Sequence, residues 1–266
     1  MLNYFLLSVP ISYIHQHFLS EFLHEATHWN LAKRKSLNDI LALILIGVPF
    51  GVNVQANRKA HFVHHSQASF LNDKDPETSP YQISSIKELL ITLLLTFSGF
   101  TALKQYFGSM RIDGGVNLQV NQDKSLAINK SSSDWLLFLL FTHLILLVGL
   151  FHFGYLSAYI IYYGTLVTIY PLFAMMRFWG QHAQVSLYDT SIAFTCNTSA
   201  SRSNYGGFLE FLFFNTPIMS YHYEHHLYPE LNFRILRRIA RKSSDPNITG
   251  KGCISVAAKV YRGLLK

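Results

Sequence analysis

Three short histidine clusters carry the chemistry of this sequence. They read His24-Glu25-Ala26-Thr27-His28, His61-Phe62-Val63-His64-His65 and His222-Tyr223-Glu224-His225-His226. Residues three and four apart share one face of a helix. Each HxxHH cluster is therefore expected to aim three imidazoles into one arc, and the first cluster two. With 13 histidines in 266 residues, one HxxHH is expected about 0.03 times by chance, and two copies are far rarer. Neutral imidazole is the commonest protein metal ligand and suits Fe, Zn, Cu and Ni. Eight clustered histidines exceed what one ion with about four to six positions takes, and suit two ions that each keep an open position. The two cysteines, Cys196 and Cys253, stand far apart. They offer neither an iron–sulfur cluster, a CxxC motif nor a disulfide framework. An all-histidine site for two ions beside apolar segments points to oxygen chemistry at iron. His15, His17, His143 and His152 are isolated on apolar segments and read as satisfied by local hydrogen bonds.

The elements that must position these clusters are apolar. Half of the chain is hydrophobic, 15% is aromatic and only 14% is charged, with a net charge of +7. Soluble domains carry about 25% charged residues, so this composition speaks against a soluble domain, a disordered chain and a nucleic-acid reader. The basic residues fall in short groups between apolar blocks, as in the loops of membrane proteins. Residues 2–23 are long enough to span a bilayer, although His15, His17 and Glu21 interrupt them. A signal peptide does not fit, because a basic start and a small-residue cleavage site are both lacking. Residues 134–176 suit two spans, 134–153 and 155–176, with a tight turn near 152–155. Segments 37–54, 89–103 and 208–219 are shorter and are expected to lie in the membrane interface. The polar stretch 108–133 reads as a loop. Residues 234–266 form a basic tail with nine Lys or Arg and one acid. The reading is an all-α integral membrane protein: a domain over 1–233, with transmembrane and interfacial helices and a cytosolic histidine-box domain, followed by the tail.

The motifs HEATH, HFVHH and HYEHH resemble the three histidine boxes of the membrane fatty acid desaturase and hydroxylase superfamily. Asp73-Lys74-Asp75-Pro76-Glu77 follows the second box, where that family often has a DPE- or DPD-like element. The segment 221–229, YHYEHHLYP, is similar to the family's YHxEHHLxP. The resemblance runs from about Leu23 to Pro229. It implies a non-haem di-iron centre that activates O2, and a further histidine ligand between the last span and the third box. Arg177-Phe178-Trp179-Gly180-Gln181-His182 occupies that place, so His182 joins His24, His28, His61, His64, His65, His222, His225 and His226 as the ninth implied ligand. Many relatives carry Glu-His there, whereas this chain has Gln181-His182. Acids near the boxes should orient the imidazoles by accepting their free N–H; Glu25, Asp75, Glu77, Asp189 and Glu224 are the candidates. The family takes electrons from a separate protein, commonly cytochrome b5 and otherwise a ferredoxin. An HPGG-like segment is lacking, so no fused b5 domain is expected.

A shared site requires all boxes on one side of the membrane. Segments 37–54 and 89–103 must therefore dip or lie flat rather than cross. Lys33, Arg34, Lys35, Arg58, Lys59, Lys124, Lys130, Arg177, Arg202 and the tail then share that side, which the positive-inside rule makes cytoplasmic. A single leading span puts the N-terminus outside, whereas the family usually has two spans before the first box. Either this member is shortened or its start lies upstream of Met1.

The expected reaction is desaturation of a fatty acyl chain or related lipid. The alternatives within the family are hydroxylation or ketolation of a lipid or carotenoid. The first box also reads HExxH, the pattern of membrane zinc proteases with Glu25 as general base, but that leaves six clustered histidines idle. A metal transporter would want ionisable residues within the spans, and here the boxes flank them. The basic run Arg234, Arg237, Arg238, Arg241 and Lys242 has helical spacing and suits anionic lipid, an acidic redox partner or a solvated tail.

Overall fold

The computed structural model describes residues 2–65, 83, 85–104, 132–182, 201–216, 218–242 and 253. These are mostly helical, with no strand among the described residues. The helices are α1 (Leu2–Thr27), α2 (Lys35–Phe50), α3 (Val54–His65), α4 (Ile86–Phe97), α5 (Ser132–His152), α6 (Leu156–Gln181), α7 (Phe208–Phe213), α8 (His222–Leu227) and α9 (Phe233–Ala240). The middle of α2, Leu43–Gly47, is a π-helical turn.

Two helices are long and apolar enough to cross a membrane, Asp134–His152 and Leu156–Gln181. The pair α2 and α3 passes together as well, but bends by 93° between Phe50 and Val54. The bend falls where segment 37–54 was expected to dip. Helix α1 covers the expected first span and, at 26 residues, runs further. It has the length to cross but not the apolarity of α5 and α6, because His15, Gln16, His17 and Glu21 dilute it. Large apolar side chains of α5, among them Leu137, Phe141, Leu144 and Val148, are exposed on the isolated chain. A lipid-contacting face requires such a surface.

Three helices end in the same way. The last turn closes with paired bonds from the two residues that follow the cap, the Schellman arrangement. In α2 these are Gly51 N–H to Val48 O at 3.1 Å and Val52 N–H to Gly47 O at 2.9 Å. In α5 they are Gly154 N–H to Phe151 O at 3.1 Å and Tyr155 N–H to Leu150 O at 2.7 Å. Both need a left-handed residue, and Gly51 (φ 68°) and Gly154 (φ 78°) supply it without a Cβ clash. In α1 the bonds are Trp29 N–H to Ala26 O at 3.1 Å and Asn30 N–H to Glu25 O at 2.8 Å. Here the left-handed residue is Trp29 (φ 57°), the one non-glycine with positive φ among the described residues.

The chain forms two compact units, and the division falls inside α3 and α6. The first holds residues 1–58 and 99–170. Its core is Ala26, Ala42, Ile46 and Val54, with Leu19, Leu23, Leu31 and Phe50 against it. Polar side chains tie its helices together, which apolar spans on their own lack a strong force to do. Gln16 Nε2 donates to Tyr162 O at 2.7 Å. His15 Nδ1 meets Tyr162 Oη at 3.2 Å, and His143 Nδ1 meets Tyr159 Oη at 3.2 Å. His15 and His143 are thus bonded to another helix, which corrects the expectation of local partners. Arg58 is a second correction. It is buried against Asp39 at 2.6 Å and is therefore no loop cation. The second unit holds residues 59–98 and 171–266. Its core is Ile83, Leu89, Met175 and Trp179.

Asn38 is fully buried and joins α1 to α2. Its Nδ2 donates to Ala26 O at 2.9 Å and its Oδ1 accepts from Leu31 N–H at 3.0 Å. Asn38→Leu strips both groups of that partner while adding apolar volume. Thermal unfolding in detergent should show a loss of about 1–3 kcal/mol, whereas Ser85→Ala, at an exposed helix cap, should cost about 1 kcal/mol or less.

Candidate metal centre

Seven of the nine implied ligands lie in the second unit. His61, His64 and His65 occupy the last turn of α3. His182 directly follows α6, and His222, His225 and His226 lie on α8. All are buried except His65, which is half-buried. The other two, His24 and His28, lie in the first unit at the end of α1, with ring centroids 5.1 Å apart.

The seven divide into two adjacent groups. His64, His182, His222 and His226 each present a ring nitrogen, and these nitrogens lie within 4.8 Å of one another. His61, His65 and His225 do the same. Each HxxHH box therefore splits, which corrects the single arc expected from spacing. In the second box, His61 and His65 go to one group and His64 to the other. In the third, His222 and His226 go to the group of His64, and His225 goes across. Residues i and i+4 stay together, and i+3 faces the neighbouring group.

The contacts between rings have the chemistry of a cation site. His222 Nε2 stands 2.7 Å from His182 Nε2 and 3.1 Å from His226 Nε2. His65 Nε2 stands 3.0 Å from both His61 Nε2 and His225 Nε2. A neutral imidazole nitrogen either donates one proton or accepts. A nitrogen facing two others is poorly served by protons, whereas one ion serves all of them. Two ligand nitrogens at right angles about an ion, each about 2.1 Å from it as for zinc, stand about 3.0 Å apart. Burial, together with the neighbouring His65, His64, His182 and His225, holds His226 well below the usual imidazole range. It is therefore neutral, the form that binds metal.

The residues around His182 and α8 fix this geometry. Gln181 is buried, and its Nε2 donates to Asn215 Oδ1 and Met219 O, both at 3.2 Å. It ties the end of α6 to the 3-10 turn Met219–Tyr221, which leads into α8. Arg202 N–H donates to Gln181 O at 2.7 Å, and Asn204 N–H donates to Ser220 O at 3.1 Å. The segment 201–204 thus bridges the two ligand-bearing ends. The departure at Gln181 is accounted for: an amide donates to a carbonyl, which a carboxylate does not. Asn215 Nδ2 also meets Cys253 Sγ at 2.9 Å. Burial and the charge of Glu210 push the Cys253 thiol up to about 12, so it stays a packing group.

Among the acids, Glu224 is buried on α8 and accepts a short hydrogen bond from Ser203 Oγ. Ser203 Oγ in turn accepts from Tyr223 N–H at 3.0 Å. In the first unit, Glu25 Oε1 lies 3.8 Å from His24 Nδ1. Burial, and next the charge of Glu21, push Glu25 up to about 7 against a hydrogen bond from Asn30. Asp75, Glu77 and Asp189 lie outside the described residues. Sequence reasoning missed Ser203 and Asn215, whose serine and asparagine types carry no metal signal.

A model of the family described as fatty acid desaturase matches residues 2–250. No curated protein and no solved structure matches the chain.

Removing one member of a group should cost that group its ion. His222→Ala should lower the metal content of purified protein by about one ion per chain. His143→Ala and His152→Ala should leave it unchanged, because neither histidine belongs to a group. Elemental analysis against protein concentration reads the difference.

Proposed function

This chain belongs to the fatty acid desaturase family, and we propose that it is a membrane-bound, O2-dependent di-iron desaturase acting on a fatty acyl chain or related lipid. The observation that carries the reading is the division of seven histidines into two adjacent groups of ring-nitrogen donors. Two ions match two groups, and imidazole suits iron. The family resemblance implies His24 and His28, from the first box, as the remaining two ligands.

The iron pair would supply the oxidation: a –CH2–CH2– unit loses two hydrogens, and O2 with two electrons and two protons becomes two waters. The chain's own residues do the rest. The histidines hold the ions through uncharged ligands. Gln181 and the segment 201–204 keep His182 beside His222. Glu224, steadied by Ser203, lies in the third box and is suited to orient an imidazole by accepting its free N–H. The apolar helices favour a substrate that partitions into lipid and keep water from a reactive site. Electrons come from a separate protein of the ferredoxin or cytochrome b5 type. The boxes and the C-terminus face the cytoplasm, on the positive-inside rule; the exposed Arg237, Arg238, Arg241 and Lys242 support that side, and the buried Arg58 does not count toward it.

Mass spectrometry of lipids from a host expressing the chain tests the reaction. The expected product is two hydrogens lighter than its substrate, is absent without O2, and is absent in His64→Ala and His225→Ala. A product that instead gains an oxygen atom assigns the chain to hydroxylation within the same family. Zinc in place of iron in the active protein overturns the reading.

A further inference from the structure

The first and second boxes sit on α1 and α3, and one buried cation in the first half of α3 grips the end of α1 within the first unit. Arg58 is 4% exposed. Nε donates to Thr27 O at 2.9 Å, and Nη2 donates to Ala26 O at 2.9 Å. Nη2 also donates to Asp39 Oδ1 at 2.6 Å. Nη1 donates to Gln55 Oε1 at 2.8 Å and to Asp39 Oδ2 at 3.5 Å. All five N–H groups of the guanidinium are used. The two carbonyls belong to the last turn of α1, where backbone oxygens lack helical partners and the helix dipole is negative. They lie between His24 and His28 in the chain.

Trp29 completes the clamp. Arg58 lies 4.2 Å above its ring, and Lys35 Nζ lies 4.7 Å from the same ring. A tryptophan in the left-handed region is strained by its Cβ, where glycine serves at Gly51 and Gly154. The stacked cations give a reason for an indole at this place. Asn57 Nδ2 adds a bond to Thr27 Oγ1 at 3.1 Å.

On α3, positions 58, 61 and 65 follow the i, i+3, i+7 pattern and share a face. Fixing Arg58 therefore fixes the roll of the helix that carries His61 and His65. We propose that Arg58, seated on Trp29 and on the end of α1, is a positioning residue for the metal centre. It fixes the roll of α3, and with it the direction in which His61 and His65 face, and so governs first the ion of their group. The proposal rests on the di-iron reading above.

The test counts ions in the purified full chain, by elemental analysis and by Mössbauer spectra of iron-57, beside the thermal melt. Arg58→Lys keeps the charge but has three donors for five bonds. It should bind one ion about tenfold to a hundredfold more weakly. At limiting iron the protein should then hold one ion rather than two, with one of the two spectral components lost. Trp29→Gly removes the indole yet suits the left-handed backbone. It should melt close to the parent and still weaken the same ion. Two irons retained with unaltered spectra in folded Arg58→Lys overturn the proposal. If Arg58→Lys does not fold, Trp29→Gly decides, and full iron in that variant overturns it. Failure of both variants to fold makes the clamp structural only and overturns it as well. A parent that binds two zinc ions sinks the di-iron reading alone, because the variants still report on ion number. A parent that binds no metal sinks both.

Discussion

Ring nitrogens that converge in threes are better served by one cation than by protons, and the second unit gathers its histidines in that way. His222 Nε2 has two such neighbours, at 2.7 and 3.1 Å. Protonation would place like charges side by side in a buried site, and burial drives His226 the other way. A metal ion satisfies the lone pairs without that penalty. The surrounding bonds serve the same end. Gln181 anchors α6 to the turn before α8, Ser203 holds Glu224, and Arg202 and Asn204 tie the connecting segment to both. Gln181, Ser203, Arg202 and Asn204 belong to none of the usual ligand types for such an ion, yet each restricts where a ligand can go.

The histidine boxes were legible because their signal is local. HxxHH places three rings on one side of a helix whatever the rest of the chain does. The allocation of those rings was not legible. It depends on how α3 faces α8, through contacts such as His65 with His225, 160 positions apart. Spacing gives a face about a turn wide, and two ions fit along it. The i and i+4 rings converge on one, and the i+3 ring leans to the other. His182 was reached only through the family resemblance, since a lone histidine after an apolar helix has no distinguishing pattern.

The helices followed the same rule. The hairpin of α5 and α6 was readable because its apolar runs are long and Gly154 marks the turn. The end of α1 was not, because Trp29 stands where glycine is the readable stop. Arg58 was misread as a loop cation for a related reason. Its partners at Ala26, Thr27 and Asp39 lie 19 to 32 positions away. In sequence it looks like any basic residue between apolar blocks; in the fold it is the buried counterpart of a helix end. The positive-inside argument survives without it because several exposed basic residues remain.

Charge is the last constraint on the site. An imidazole that ligates in its neutral form brings no charge, so an ion held by imidazoles leaves its positive charge for nearby acids to balance. Two buried carboxyls adjoin the boxes in sequence: Glu224 within the third and Glu25 within the first. Glu25 is pushed up to about 7 by burial and Glu21. A cation close to it acts in the opposite direction. The HExxH glutamate, which in a zinc protease would act as general base, is here a buried acid 3.8 Å from His24 Nδ1 whose ionisation any nearby cation would favour.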